Sequence, residues 1–101
     1  MKVCLHVEAQ SDLLSIRKYI AARNQRRASS FVRELLDKIE GLAQMGDSFP
    51  VIARYARSGL RRRIHGNYQI IYRVFEEENT VDVLYVLHTS RDNVAFLAAW
   101  E

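Results

Sequence analysis

Arginines are the residues of this chain with the clearest chemical potential. Six of them lie between residues 51 and 75, a stretch without a single acidic residue. They are Arg54, Arg57, Arg61, Arg62, Arg63 and Arg73. The rest of the chain carries nine Lys and Arg against twelve Asp and Glu, so this stretch accounts for the formal net charge of +3. A concentrated positive surface suits an anion, either a phosphate backbone or an acidic partner peptide.

Three of these arginines, Arg61, Arg62 and Arg63, are consecutive and precede two apolar segments, which indicates a strand. Because side chains alternate across a strand, at most two of the three share a face. Two interpretations stay open: a solvated edge strand that its charges protect from aggregation, and an anion-contact surface. The absence of nearby acids favours the contact surface, because ordinary solvated faces mix both signs of charge.

A second candidate is the pair His88 and Arg91. His88 ends the last predicted strand, and Arg91 follows at the start of a predicted C-terminal helix. An imidazole beside a guanidinium can transfer a proton or bind a phosphate; alternatively, Arg91 and Asp92 form local ion pairs. Phe96 and Trp100 fall on one side of that helix, where they either pack onto the sheet or anchor a partner.

Metal and cofactor chemistry is not indicated. His6, His65 and His88 lie on different predicted elements without ligand spacing, and the single Cys4 has no partner for a disulfide. There is no phosphate-binding glycine loop and no nucleophile motif. No apolar run approaches the roughly 20 residues that span a bilayer. We therefore expect a cytoplasmic protein without metal or cofactor.

The elements that must position these residues form one domain over residues 1–101. Alternation predicts a strand over residues 2–7, and apolar spacing of three and four residues predicts helices over residues 8–23 and 26–45. Further strands are predicted at residues 60–65, 68–75 and 81–88, before a short helix over residues 93–99. In the last strand, the alternation predicts that Val81, Val83, Tyr85 and Leu87 share a face.

The order β-α-α-β-β-β-α predicts an α+β fold in which a small antiparallel sheet packs against an N-terminal helical hairpin. The short link at Asn24 and Gln25 makes the two helices antiparallel neighbours.

Three features of the sequence resemble the RelE/ParE toxin superfamily of type II toxin–antitoxin systems. They are the arginines after Leu60, the strand sequence Tyr72-Arg73-Val74, and the ending Leu87-His88 with Arg91-Asp92. The resemblance covers nearly the whole chain, with the elements in the same order. It implies a RelE/ParE-like fold and a cognate, ParD-like antitoxin that neutralises the toxin in a hetero-oligomer. It also implies that operator DNA is bound only through the antitoxin.

The superfamily has two branches with different chemistry. RelE-like toxins cleave mRNA in the ribosome, whereas ParE-like toxins poison DNA gyrase and are not known as nucleases. RelE-like toxins usually carry an arginine where this chain has Gln69 after Tyr68, and often a tyrosine where it has Phe96 and Leu97. Losing that arginine removes a fixed charge from the transition-state phosphate. The resemblance therefore favours the ParE-like branch.

We thus predict a non-catalytic ParE-like toxin that inhibits DNA gyrase and arrests growth. Its contact surfaces would be the six arginines together with Arg91, Phe96 and Trp100. The alternative is a RelE-like, ribosome-dependent mRNA endonuclease with His88, Arg91, Arg61 and Arg63 in its active site. A third interpretation is an interaction module or degenerate toxin whose arginines serve only antitoxin binding.

Overall fold

The computed structural model describes residues 1–90 and contains a helical hairpin packed on a four-stranded sheet. The helices are α1 (Val7–Ala21), α2 (Gln25–Glu40) and the short α3 (Leu42–Met45). The strands are β1 (Lys2–Leu5), β2 (Arg61–His65), β3 (Tyr68–Phe75) and β4 (Thr80–His88). Two 3₁₀ segments, Gly46–Ser48 and Ala53–Ser58, precede β2. The predicted C-terminal helix, with Arg91, Phe96 and Trp100, lies outside the described residues.

The strand order of the sheet is β1-β4-β3-β2. β3 pairs antiparallel with both β2 and β4, and the predicted α+β arrangement is confirmed. β1 departs from the predicted antiparallel sheet because it runs parallel to β4, with Val3 opposite Val81. The physical reason is the long connection between the two strands. A chain that crosses over through helices can return in the same direction, which a short hairpin turn does not allow.

The hairpin forms because each of its long helices buries one apolar face. Ala9 and Ile16 are buried in α1, and Phe31, Leu35 and Ile39 recur at four-residue steps in α2. The exposed face of α2 is largely polar, whereas α1 also exposes Val7, Leu14 and Tyr19. Within residues 1–90, no helix is both long enough and apolar enough to cross a membrane.

The second long helix is shorter than predicted. α2 ends at Glu40, and the chain resumes as the separate α3 after Gly41. A Cβ atom at Gly41 would lie 3.1 Å from Nη1 of Arg63, so this glycine leaves room for that guanidinium. Because the apolar spacing continues through Leu42, the sequence pattern does not reveal the interruption.

The main core lies between the hairpin and one face of the sheet. The sheet contributes Ile70, Tyr72, Val81, Val83 and Val86 to it. Tyr72 is fully buried, and its hydroxyl donates a hydrogen bond to the backbone carbonyl of Gly46. That bond ties the centre of the sheet to the 3₁₀ segment after α3.

A smaller second core covers the opposite face of the sheet. Ile52 and Tyr55, from the segment between α3 and β2, pack there against Ile71, Leu84 and Leu87. The segment therefore carries the chain around the β2 edge of the sheet. It places the 3₁₀ turn Ala53–Ser58 on the side of the sheet away from the hairpin.

A bulge in β4 changes which residues share a face. The register between β3 and β4 shifts by one residue, so Leu84 is an extra residue in the pairing. The prediction that Val81, Val83, Tyr85 and Leu87 share a face is therefore wrong beyond Val83. Leu87 belongs to the second core, and Tyr85 packs against that core.

Candidate functional site

The three consecutive arginines lie on β2, at the edge of the sheet, and all three are half-buried. Arg61 and Arg63 contact the helical side, whereas Arg62 contacts the opposite face. This distribution agrees with the prediction that at most two of them share a face. The run of positive charge is thus divided between two sides of the sheet.

Arg61 and Arg63 donate to backbone carbonyl oxygens. Nη1 of Arg61 lies 2.6 Å from the carbonyl oxygen of Phe49, and Nη1 of Arg63 lies 2.9 Å from that of Lys38. The guanidinium of Arg63 also lies 4.5 Å from the centroid of the Phe49 ring. Lys38 belongs to the last turn of α2, where carbonyl groups lack helical partners and carry partial negative charge. These two arginines therefore tie β2 to the end of α2 and to the following loop.

Arg62 contacts a buried glutamine. Nη1 of Arg62 donates to Oε1 of Gln69 at 3.1 Å, and Gln69 is only 3% exposed. Gln69 occupies the position at which the resemblance expects an arginine in RelE-like toxins. A neutral amide fills this place in the sheet and accepts a hydrogen bond from the neighbouring strand.

Within residues 1–90, four arginines lie on the side of the sheet that carries the second core. These outer arginines are Arg54, Arg57, Arg62 and Arg73. Arg54 and Arg57 are exposed on the 3₁₀ turn Ala53–Ser58, and the guanidinium of Arg73 lies 4.6 Å from the centroid of the Phe75 ring. The contact surface predicted from the sequence is therefore two groups of arginines on opposite faces. Arg91, Phe96 and Trp100, its remaining members, lie outside the described residues.

An open cleft of about 460 Å³ lies between the α1–α2 link and the turn that joins β2 to β3. Its lining includes Tyr19, Arg23, Arg27, Phe31, Tyr68 and His88. We call it the tip cleft. The turn contains Gly66 at a positive φ of 59°, and a Cβ atom there would lie 3.4 Å from the ring of Phe31.

Aromatic rings form a continuous series along the tip cleft. The Tyr68 ring meets the His88 ring edge-on at 5.3 Å, and the Phe31 ring lies 5.5 Å from Tyr68. The His65 ring stacks on the Phe31 ring, with the centroids 5.4 Å apart. Burial, and secondarily Tyr19, raises the pKa of Tyr68 above the ordinary tyrosine value, which already lies well above neutral pH.

One carboxylate joins the two basic groups behind the tip cleft. Oε2 of Glu34 lies 2.6 Å from Nη1 of Arg27, and its Oε1 lies 2.8 Å from Nε2 of His65. The hydrogen bonds from Arg27 and then from His65 hold the pKa of Glu34 below its ordinary value. Arg23, by contrast, forms no ion pair within residues 1–90. Its guanidinium rests over the Tyr19 ring, 5.2 Å from the centroid.

His88 is exposed at the rim of the tip cleft. Its Nδ1 accepts a hydrogen bond from the backbone N–H of Ser90 at 3.1 Å and lies 2.7 Å from the Ser90 hydroxyl oxygen. The lone pair of Nδ1 therefore already accepts a hydrogen bond from within the chain. The predicted placement of Arg91 beside His88 falls outside the described residues.

Metal-ligand clusters were not expected from the sequence. Across residues 1–90, no group of three His, Cys, Asp or Glu side chains converges on a common point. His6 lies near Asp82, with Nε2 and Oδ2 3.5 Å apart, and His65 contacts Glu34. These histidines thus each have a carboxylate neighbour at separate places in the fold.

The sequence interpretation missed an apolar groove of about 300 Å³ between α1 and α2. We call it the hairpin groove; its lining includes Leu13, Leu14, Arg17, Val32 and Leu36. Leu14 is 62% exposed. The adjacent pair Leu13-Leu14 was the available signal, because neighbouring residues of a helix point in different directions and only one of them faces the sheet. The tip cleft had no comparable signal, since its walls come from distant parts of the chain.

Comparisons with known proteins agree with this fold. A family model described as the ParE toxin of the type II toxin–antitoxin system parDE matches residues 3–93. Among solved structures, the chain is similar to one of the chromosomal ParDE system from P. aeruginosa, at a TM-score of 0.73 and 15% identity, covering 87% of this chain and 95% of that one. None of the curated proteins matches the chain significantly.

The chain is also similar to a structure of the toxin–antitoxin complex RelBE2 from Mycobacterium tuberculosis. The TM-score is 0.57 at 21% identity, and the match covers 86% of this chain and 95% of that one. At these identities the structural likeness shows the fold alone. Together with the family match, it confirms the resemblance to the RelE/ParE toxins that the sequence indicated.

Proposed function

Because the chain belongs to the ParE toxin family of type II toxin–antitoxin systems, we propose that it inhibits DNA gyrase and arrests growth by binding rather than by catalysis. A cognate ParD-like antitoxin neutralises it by covering its contact surfaces. The exposed outer arginines Arg54 and Arg57 are the part of the predicted contact surface that the described chain leaves open to a partner.

The environment of Gln69 is the observation that carries the non-catalytic part of this proposal. Cleavage of an RNA backbone requires fixed positive charge near the transition-state phosphate. Here the neutral amide of Gln69, which is 3% exposed, occupies the position of the RelE-like arginine. Its oxygen accepts a hydrogen bond from Arg62 at 3.1 Å. Arg61 and Arg63, which an all-basic phosphate site would need, donate to backbone carbonyls instead. These arginines already have acceptors within the chain.

The alternative is a RelE-like mRNA endonuclease, and one observation favours it. His88 opens onto the tip cleft, which also contains Arg23 and Arg27. Proton abstraction by His88 would need the lone pair of Nδ1, which accepts a hydrogen bond from Ser90. The histidine would have to release Ser90 before acting as a base, which is why we place this function second.

The hairpin groove supports pairing with an antitoxin. Its apolar lining, with Leu14 62% exposed, has no cover within residues 1–90. An amphipathic helix laid into such a groove buries its apolar residues and places charged residues along the rim. Arg17 lies on this rim and would meet an acidic residue of the antitoxin.

The experiment that tests the function is expression of the toxin without antitoxin, with DNA and mRNA integrity followed in the same cells. The matched variants are Arg54→Gln with Arg57→Gln on the outer side, and Lys18→Gln with Arg26→Gln on the exposed hairpin surface. Both pairs remove two positive charges. Purified gyrase, assayed for supercoiling with each protein, provides the direct measurement.

We expect DNA breaks with intact messages, inhibition of supercoiling by the unmodified toxin, and loss of both effects in the Arg54/Arg57 pair alone. Messages cut within codons, with undamaged DNA, would overturn the gyrase proposal and establish the endonuclease. Equal loss of activity in both pairs would show that net charge, rather than the outer arginines, determines the effect.

A further inference from the structure

The tip cleft contains a guanidinium that the described chain leaves without a carboxylate. Arg23 lies over the exposed ring of Tyr19, which is 58% exposed, and makes no ion pair within residues 1–90. A guanidinium supported on an aromatic face keeps its N–H groups directed outward, where a carboxylate can accept two of them. Tyr68 also lines the cleft and adds a phenolic hydroxyl.

The charge balance of the cleft suits one carboxylate better than a phosphate. Arg27, the second cation, is already engaged by Glu34 at 2.6 Å. The Glu34 carboxylate repels a doubly charged phosphate more strongly than a singly charged carboxylate, and the single charge of Arg23 balances only one negative charge. The Phe31 and Tyr68 rings contact each other, with their centroids 5.5 Å apart, and together form an aromatic surface on which an aromatic side chain next to that carboxylate can pack.

The position of the cleft indicates where such a ligand would come from. The hairpin groove and the tip cleft are both bounded by α1 and α2. Leu14 in the groove and Arg23 in the cleft are nine positions apart along α1 and the link that follows it, a distance of about 14 Å along a helix axis. A single peptide segment of about ten residues therefore reaches both sites.

We propose that the tip cleft is a second antitoxin-binding site, which takes an aromatic side chain and an adjacent carboxylate from the segment that occupies the hairpin groove. This inference rests on the proposed pairing with an antitoxin, and it does not depend on gyrase as the target. Arg23 binds the carboxylate, and the aromatic group packs against the rings of Tyr19, Phe31 and Tyr68 that line the cleft.

The test uses the full-length toxin and a fluorescein-labelled synthetic peptide with the core Asp-Trp-Glu. Fluorescence anisotropy measures its affinity, and amide chemical shifts locate it on the protein. Control peptides replace the tryptophan by alanine or both acids by their amides. The matched protein variants are Arg23→Gln and Arg26→Gln, which remove the same charge from neighbouring exposed positions, although only Arg23 lines the cleft. Tyr19→Ala tests the aromatic wall.

We expect the shifts to cluster around Tyr19, Tyr68 and His88, and the affinity to fall about fivefold in Arg23→Gln but not in Arg26→Gln. Tyr19→Ala and the alanine peptide should also bind more weakly. Equal weakening in both glutamine variants, or shifts elsewhere on the protein, would overturn the site. In that case the peptide is held by general charge attraction.

A last measurement tests the antitoxin as the source. The complex of the toxin with its co-purified antitoxin should fail to bind the peptide. If the complex binds the peptide as tightly as the free toxin, the tip cleft is not an antitoxin site. Supercoiling assays separate this proposal from the proposed gyrase target. If Arg23→Gln loses gyrase inhibition, the cleft binds the target and not the antitoxin. If the unmodified toxin does not inhibit gyrase but releases the peptide when the antitoxin binds, only the proposed target is contradicted.

Discussion

Nη1 of Arg63 lies 2.9 Å from the carbonyl oxygen of Lys38, so a residue of the edge strand β2 caps the C-terminal turn of α2. A Cβ atom at Gly41 would lie 3.1 Å from the same nitrogen, so the glycine leaves space for the guanidinium. The most conspicuous charge run of the sequence thus contributes to the fold as well as to the surface. Changes to these arginines must be interpreted with both roles in mind.

Replacing Arg63 by alanine should destabilise the protein by about 1–2 kcal/mol, because the Lys38 carbonyl loses a charged donor and Phe49 loses its stacked guanidinium. Urea unfolding at neutral pH measures the change. Arg54→Ala, at an exposed position of the 3₁₀ turn, is the control and should stay within about 0.5 kcal/mol of the parent. Equal stability of the two variants would mean that the cap contributes nothing. A triple alanine variant of residues 61–63 combines both roles and cannot separate binding from folding.

Tyr72 should make the protein sensitive to alkali. Burial raises its pKa to about 12, against 10.0 for an ordinary tyrosine, although Arg61 acts in the opposite direction. Between these two pH values the unfolded chain loses the proton while the folded chain keeps it. The stabilisation is therefore complete below about pH 10 and is lost as the pH rises towards 12, by up to about 3 kcal/mol.

The Tyr72→Phe variant tests this pH dependence. It should be less stable at neutral pH by about 1 kcal/mol, because the hydrogen bond to the Gly46 carbonyl is gone. Its stability should then fall less steeply than that of the parent above about pH 10. Tyr19→Phe, at a 58% exposed position, is the control and should keep the parent slope. If stability falls equally steeply above about pH 10 in Tyr72→Phe and in the parent, Tyr72 is not the group that makes the protein sensitive to alkali.

Glu34 should contribute to stability on the acid side. Hydrogen bonds from Arg27 and His65 lower its pKa below the ordinary value of 4.5, so the unfolded chain takes up the proton first as the pH falls. The contribution is present above that value and disappears as the pH drops through the lower pKa of the folded protein. Glu34→Gln should therefore have a flatter acid limb in thermal unfolding. Glu77→Gln, in the turn between β3 and β4, is the control and should leave the acid limb unchanged. A flatter acid limb in Glu77→Gln but not in Glu34→Gln would contradict the prediction.

Leu14→Asp should separate antitoxin binding from toxicity. Leu14 is 62% exposed in the hairpin groove, so an aspartate there costs little stability but places a charge in the apolar groove. We expect antitoxin affinity to fall by at least about tenfold, and growth arrest to persist despite co-expressed antitoxin. Val7→Asp, 72% exposed at the start of α1 and outside the groove, is the matched control. Titration of purified antitoxin onto each variant checks the prediction, and unchanged affinity in Leu14→Asp would contradict it.

Gln69→Arg should not convert the protein into a nuclease. The site is 3% exposed and faces the guanidinium of Arg62, so a second cation there would be buried next to a like charge. We expect a loss of stability of about 3 kcal/mol or more, without mRNA cleavage. Gln69→Glu keeps an acceptor for Arg62 and should be better tolerated. Urea unfolding and a ribosome-dependent cleavage assay measure the two effects; a stable, mRNA-cleaving Gln69→Arg variant would place the chain near the RelE-like branch.

Much of the fold follows from local patterns. The apolar spacing at Phe31, Leu35 and Ile39 locates α2, and the segment from Tyr68 to Phe75 was predicted with the observed bounds. The order of these elements, together with the arginine-rich strand, also pointed to the toxin superfamily that the family match supports. The bulge at Leu84 was not predictable in this way, because an inserted residue is defined only by the strand that pairs with it.

Local patterns in the sequence were enough to locate the two long helices, the four strands and the concentration of positive charge, because periodicity and composition are local properties of the chain. What each arginine contacts depends instead on the tertiary structure. The acceptor of Arg63 lies 25 residues away along the chain, and β1 pairs with a strand near the other end of the described residues. The tip cleft likewise exists only where the α1–α2 link meets the β2–β3 turn and the end of β4. Contacts between distant segments depend on how the layers pack, and the order of residue types does not encode that packing in any local pattern.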